Sequence, residues 1–314
     1  MATRRRSEAA RPECVAQSDW MTGVSSGPPS IPHQVSGASV SGGARAFLGL
    51  QPTHNPFRWT LPVTPSLCTW TGNLFGGAGL GAAIEAMEAT SGRPVIWATA
   101  QYLSFAKVGS VLDLDVTLAV NGKATTQARV VVRQGNEEIL TVNGAFGSRD
   151  IADSGSFSVR PIVADPLDCP ERRHRFGNQN SINEHIHSRL ALGREMEELD
   201  GVASEDGRSA LWAQLPGVST TTAAGLAVLG DFVPFGIGQA LGVRAGGSSL
   251  DNTLRVVRLV PTEWVLLDIR IHAVHHGFGH GLVHLWAEDG TLLATASQST
   301  TVRYWDEASR VLRS

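Results

Sequence analysis

Slid along itself by 153 positions, so that Asp115 falls on Asp268, the chain repeats its own rhythm of strands and turns. SVLDLDVTL (Ser110–Leu118) then lies over EWVLLDIRI (Glu263–Ile271), and ARVVVRQGNEEIL (Ala128–Leu140) over GLVHLWAEDGTLL (Gly281–Leu293) without a gap. Identities are few, but the strand–turn–strand pattern coincides. So long a period marks a duplicated domain rather than a solenoid, whose units run about 20–50 residues. The copies differ in chemistry. Asp231, Ser249 and Gln298 stand in the second; in the same register Ser249 falls on Ile96 and Gln298 on Ala145, which carry no polar side chain. The duplication therefore predicts one working site, held mainly by the second half.

At 314 residues the chain has room for two domains of about 100–150 residues each. A net charge of −3 gives no electrostatic reason to expect nucleic acid, which calls for a basic surface. Cys14, Cys68 and Cys169 are odd in number and widely spaced. They form neither a disulfide framework nor a metal-ligand pattern, so a reducing cytoplasm is expected. Arg4, Arg5 and Arg6 precede no apolar core of the kind a secretory signal needs. The longest apolar stretch, Ala223 to Val243, is interrupted by Asp231, Pro234 and glycines and is a poor membrane span.

Residues 1–45, rich in Ser, Gly, Pro and Ala without periodicity, read as a disordered tail. A first domain is expected over 46–150. Within it, Gly72–Thr90 has helical character, with Leu80, Ile84 and Met87 on one buried stripe and small residues that let a sheet approach closely. Strands are predicted at Val95–Phe105, Ser110–Val120, Thr125–Arg133 and Glu138–Phe146, with Asn121-Gly122 and Gly135-Asn136 as turns. Residues 151–178 read as a linker. A second domain over 179–306 opens at Asn183–Ala191, continues through an acidic loop at Arg194–Arg208, and places TTTAAGLAVLGDFVPFGIG (Thr220–Gly238) as its helix. Its strands are predicted at Ser249–Val257, Trp264–Ala273, Gly281–Trp286 and Leu292–Val302. Aligned alone, the helices set Glu85 opposite Asp231 at a shift of 146, with GQALGVRAGG supplying a longer loop afterwards. The fold class is α+β: two repeats, each an antiparallel sheet wrapped around a helix.

Asp231 ends an apolar helical run, where a carboxylate is costly unless hydrogen-bonded. Ser249 begins a predicted strand, and Gln298 interrupts a strand of small residues, ATASQSTTV. Each alone reads as punctuation. Together, an acid at a helix end and two polar groups on neighbouring strands can converge on one water molecule.

The second half resembles the acyl-CoA thioesterase II family of double-hotdog enzymes, in GDFVPFGIG (Gly230–Gly238), SLDNTL (Ser249–Leu254), TEWVLLD (Thr262–Asp268) and DGTLLATASQ (Asp289–Gln298). In the first half NLFGGAGLGAA (Asn73–Ala83) and AQYLSFAKVGSVLDLDV (Ala100–Val116) are similar to that family's opening helix and next two strands. The resemblance implies a double hotdog, hydrolysis of an acyl-CoA thioester by an activated water, and no cofactor or metal. It maps the water-handling residues onto Asp231, Ser249 and Gln298. Asp231 would serve as general base or orienter, with the other two fixing the water. Backbone N–H groups at Gly76 and Gly77, at a helix N-terminus, become the candidates for the thioester oxyanion. If the three side chains share a water, their tips lie within roughly 6 Å of one another along a cleft. Asn252 and Arg255–Val257 depart from the family's pattern beside the trio.

Two rivals share the fold. A hotdog enoyl-CoA hydratase would want Asn and His where Val233 and Gly236 stand, and a non-catalytic acyl-CoA binding protein would keep the cleft without turnover. Whether chains assemble into a homo-oligomer stays open. His272, His275, His276, His280 and His284 straddle a predicted hairpin turn, which is no rigid frame for a metal. Gly76–Gly81 lacks the strand–loop–helix setting and downstream acid of a dinucleotide loop.

Overall fold

In the computed structural model, which describes residues 43–172, 180–218, 222–307 and 309, the duplication becomes a mirrored strand order. The first half contributes α1 (Ala44–Leu48), β1 (Gln51–Pro52), β2 (Arg58–Pro62), α2 (Gly76–Ser91), β3 (Val95–Tyr102), β4 (Val111–Asn121), β5 (Thr125–Gln134) and β6 (Glu137–Gly147). The second contributes β7 (His187–Leu192), β8 (Arg208–Gln214), α3 (Ala223–Leu229), α4 (Val233–Leu241), β9 (Ala245–Gly246), β10 (Asp251–Val256), β11 (Val265–His275), β12 (Phe278–Ala287), β13 (Leu292–Thr301) and β14 (Arg303–Tyr304). Twelve strands form one sheet in the order β1-β2-β4-β5-β6-β3-β10-β13-β12-β11-β8-β7. Read outward from the middle, each half has the same sequence of neighbours. This is the double-hotdog α+β architecture.

The halves join where β3 and β10 pair antiparallel, with Thr99 opposite Thr253. The two threonine hydroxyls hydrogen-bond at 2.9 Å across that seam. Alternation explains the strands. In β4, Leu112, Leu114 and Val116 are buried while Val111 and Asp113 are exposed, and β5 buries Thr126, Ala128, Val130 and Val132 in the same period of two. The aligned aspartates keep equivalent places: Asp115 binds Arg58 of the neighbouring strand at 2.7 Å, and Asp268 has Arg208 at 3.7 Å and Arg270 at 2.8 Å.

Several expectations need correction. The single helix expected over Thr220–Gly238 is two, α3 and α4, separated at Gly230-Asp231-Phe232; Thr220 and Thr221 lie outside the described residues. Pro234 lies at the start of α4, where its missing N–H costs nothing, and would break a continuous helix. GQALGVRAGG is not all loop, since α4 runs to Leu241 before Gly242 takes a left-handed φ of 69° and ends it. β8 forms where the sequence predicts no strand, and Ser249 precedes β10 instead of opening it. The small residues of α2 meet both a sheet and a helix: Gly79 faces Leu140 of β6, whereas Gly77 and Gly81 face α3. A Cβ on Gly77 would lie 2.7 Å from the Ala227 carbonyl oxygen, and one on Gly81 would lie 2.9 Å from that of Ala224. Only glycine lets α2 and α3 touch backbone to backbone there.

Of the tail expected over 1–45, residues 1–42 lie outside the described ones, and Ala44 opens α1. Within the described part of the linker, 151–172, residues 151–159 are exposed, and the stretch around Val163–Cys169 packs on the second half's sheet. Trp212 donates its indole N–H to the Ala164 carbonyl at 2.9 Å, and Cys169 packs with Trp212, Trp264 and Trp286 in a second, smaller core. The apolar stretch Ala223–Leu241 is long enough to cross a membrane, but 78% of it is buried inside the protein.

Candidate active site

The break between α3 and α4 puts Asp231 beside the start of α2. Asp231 is 6% exposed. Its Oδ2 accepts a 2.7 Å hydrogen bond from the Gly77 backbone N–H, at the positive end of the α2 dipole. Its Oδ1 accepts from the Gln298 side-chain amide and, at 3.5 Å, from the Ser249 hydroxyl. Gln298 Nε2 also donates to Ser249 Oγ at 3.1 Å. The structure therefore brings the three expected side chains together within hydrogen-bonding distance.

The amide of Gln298 is held in one orientation. Its Oε1 accepts the Val233 N–H at 3.1 Å, one of the free N–H groups of the first turn of α4, so its NH2 must face Asp231 and Ser249. Burial pushes the Asp231 pKa up, while the bonds from Gln298, Gly77 and Ser249 pull it back. A carboxylate so placed is a stronger base than an exposed aspartate and is still held in position.

Asp231 and Ser249 line a cavity of about 730 Å³, with Gly76, Phe75, Phe235 and Leu140 also on its walls. Gln298, 3% exposed, stands behind them. The two glycines separate in role. Gly76, the first residue of α2, faces the cavity, and helix geometry leaves its N–H without a partner in the helix. Gly77 has given its N–H to Asp231.

Two cavity residues escaped the sequence reading. Tyr102, at the end of β3, brings its hydroxyl to 3.0 Å from the point where a Gly76 Cβ would sit; that point is 2.8 Å from Asp231 Oδ2. Burial and the negative charge of Asp231 hold its pKa well above the ordinary tyrosine value, so it stays protonated. A lone tyrosine at a strand end carries no signal. Arg172 falls within the linker expected over 151–178. Asn252 is buried beside Tyr102, whereas Arg255 and Val257 are exposed, so the departures from the family pattern at 255–257 lie off the cavity wall.

The first half has no equivalent trio. Glu85 is ion-paired to Arg45 at 3.3 Å, Ala145 is buried in β6, and Ile96 is half-exposed. The histidine run spans the β11–β12 turn, where the His275 and His276 rings lie 3.9 Å apart. Among the described residues no three His, Cys, Asp or Glu side chains gather as a metal site.

Comparison with known proteins gives a consistent result. The acyl-CoA thioesterase N-terminal domain family matches residues 66–147, and the acyl-CoA thioesterase C-terminal domain family matches residues 166–302. A solved candidate thioesterase from Novosphingobium aromaticivorans is 32% identical, with 80% of this chain and 97% of that one covered, at a TM-score of 0.72. A hot dog fold protein of unknown function from Alicyclobacillus acidocaldarius is 20% identical, covers 83% and 97%, and has a TM-score of 0.73. An acyl-CoA thioesterase II from Mycobacterium marinum is 19% identical, covers 83% and 98%, and has a TM-score of 0.66. The last two speak to the fold alone. No curated protein matches the chain in sequence.

Proposed function

The chain belongs to the acyl-CoA thioesterase family, and on that premise we propose that it hydrolyses acyl-CoA thioesters to the free acid and CoA with a water activated by Asp231. The observation that carries this is the convergence of Asp231, Ser249 and Gln298 at one wall of the cavity. A water in the cavity reaches Asp231 and Ser249 directly. Its oxygen attacks the thioester carbonyl carbon as Asp231 takes a proton. The carbonyl oxygen gathers negative charge, which the Gly76 N–H at the α2 N-terminus is placed to stabilise. The C–S bond then breaks, and the departing thiolate takes up the proton. Gln298 acts from behind, fixing the carboxylate and the hydroxyl so that little reorganisation is needed during the reaction. The water supplies the nucleophile, so the chemistry requires no cofactor or metal.

The hydratase reading finds no support in the geometry. A Cβ at Gly236 would lie 2.6 Å from Ile269 Cγ2, which leaves no room for a histidine, and Val233 is fully buried. Cys68 and Cys169 are both free and buried, which supports a reducing, cytoplasmic setting.

The test is thiol release from a panel of acyl-CoAs, parent against Asp231→Asn. The variant should lose roughly 10²-fold or more in kcat while remaining folded. Equal turnover by the two proteins removes Asp231 from the reaction. Tight binding of acyl-CoA by the parent without thiol release would make the protein a carrier.

A further inference from the structure

One half-buried cation in the cavity wall, Arg172, has no acid within ion-pair distance among the described residues. Arg172 is anchored by its backbone N–H to the Ser188 carbonyl at 2.9 Å and stacks its guanidinium 4.5 Å from the centre of the Phe235 ring and 6.0 Å from that of Phe232. Phe232 follows Asp231 directly in the chain, so the guanidinium belongs to the same cavity as the proposed base. Among the described residues Arg172 makes no ion pair within 4.0 Å and no side-chain hydrogen bond. Arg45, Arg58, Arg133, Arg194, Arg208, Arg244 and Arg270 each have a carboxylate partner. Glu195 acts on Arg172 only from beyond ion-pair distance. The residues that follow it, RHRFGNQ at 173–179, contain no Asp or Glu that could supply the missing charge.

The imbalance extends along the cavity. Lys107 and Arg303 also line it, and Asp231 is its only lining carboxylate among the described residues. Burial lowers the Arg172 pKa to about 10, which leaves the group charged at neutral pH. A half-buried charge has lost part of its hydration and gains from an anionic partner. The planar fork of arginine matches a carboxylate or phosphate with two parallel hydrogen bonds, while its face is satisfied by stacking on an aromatic ring.

We infer that Arg172 binds an anionic oxygen group of the substrate, either a carboxylate at the far end of the acyl chain or a phosphate of the CoA moiety. This deepens the thioesterase reading and rests on it. A terminal carboxylate would make the enzyme selective for ω-carboxyacyl thioesters; a phosphate would make Arg172 a handle for the nucleotide end.

The experiment compares the parent with Arg172→Met and Arg172→Lys on three substrates. These are a medium-chain acyl-CoA, its ω-carboxy counterpart, and the pantetheine thioester of the plain acyl group, which lacks all phosphates. Loss of a charge-assisted hydrogen-bond pair should raise KM about 10-fold or more in Arg172→Met, with kcat within a few-fold. Arg172→Lys, which keeps the charge without the fork, should fall between it and the parent. A rise confined to the ω-carboxy substrate identifies the carboxylate. A rise on both CoA thioesters that exceeds the rise on the pantetheine thioester identifies the phosphate. Unchanged KM for all three substrates overturns the inference. If the parent hydrolyses none of them, the thioesterase reading fails. Calorimetric binding of CoA and of an ω-dicarboxylic acid to the parent and to both variants then decides Arg172 separately, and equal affinities reject it. If Arg172→Met does not fold, Arg172→Lys carries the comparison alone.

Discussion

The backbone N–H of Gly77, in the first turn of the first half's helix, donates a 2.7 Å hydrogen bond to the carboxylate of Asp231 in the second half. The proposed base is thus held by a group 154 positions away in the chain. The contact needs a residue without a side chain, because a Cβ on Gly77 would lie 2.9 Å from Val228 Cα and 3.0 Å from Asp231 Cβ.

Gly77→Ala should therefore act on stability and catalysis together. Overpacking of the α2–α3 contact should cost about 1–3 kcal/mol, and the shift of Asp231 should lower kcat by at least about 10-fold. Urea unfolding and thiol-release kinetics measure the two. Parent-like values in both would show that the close approach of α2 to α3 is not needed to place the base.

The Asp231 carboxyl, raised by burial, must be ionised to accept a proton. The rate is therefore present above its pKa and lost as pH falls through it. The acid limb of kcat/KM, which reports the free enzyme, should inflect above the ordinary aspartate value of about 3.9. A rate independent of pH down to about pH 4 would contradict a base in this environment.

Glu85→Gln should leave thiol release within a few-fold of the parent. Its carboxylate is ion-paired to the exposed Arg45 and faces no polar partner equivalent to Ser249 or Gln298. The stability change should stay within about 1 kcal/mol, because Arg45, 47% exposed, is solvated without its partner. A kinetic loss comparable to that of Asp231→Asn would move the base into the first half.

Glu88 offers a test in stability alone. Burial lifts its pKa from 4.5 to about 7, although its Oε1 accepts the Val95 N–H at 2.8 Å. The folded protein holds this proton more tightly than the unfolded chain. The stabilisation is full below about pH 4.5 and is lost as pH rises through about 7. Glu88→Gln should thus gain on the parent between about pH 5 and pH 8, by up to about 3 kcal/mol at 1.36 kcal/mol per pKa unit. Denaturant unfolding of both proteins at the two pH values reads the gap. A constant difference would mean that Glu88 titrates alike in both states.

Much of the architecture was legible because strand alternation and turn residues are local properties. Leu112, Leu114 and Val116 alternate in the chain as they do in β4, and Asn121-Gly122 lies in the β4–β5 connection. The repeat predicted two like units, and the strand order mirrors them about Thr99 and Thr253. The lone carboxylate in an apolar run singled out Asp231, and the resemblance supplied Ser249 and Gln298. What the chain could not disclose depends on contacts between distant segments. Asp231 and Pro234 interrupt the apolar stretch, but the break at Gly230–Phe232 is set only when α3 packs against α2 and α4 against β11 and β12. Gly77 looked like a donor for substrate, but its N–H is used by Asp231, a choice decided by the docking of one half on the other. Arg172 resembles ordinary linker charge in the chain, and folding sets it over Phe235 with no described acid within ion-pair distance. Local pattern determines which elements form. Which polar groups meet, and which are left for a ligand, is decided when burial removes water and each must find its partner in space.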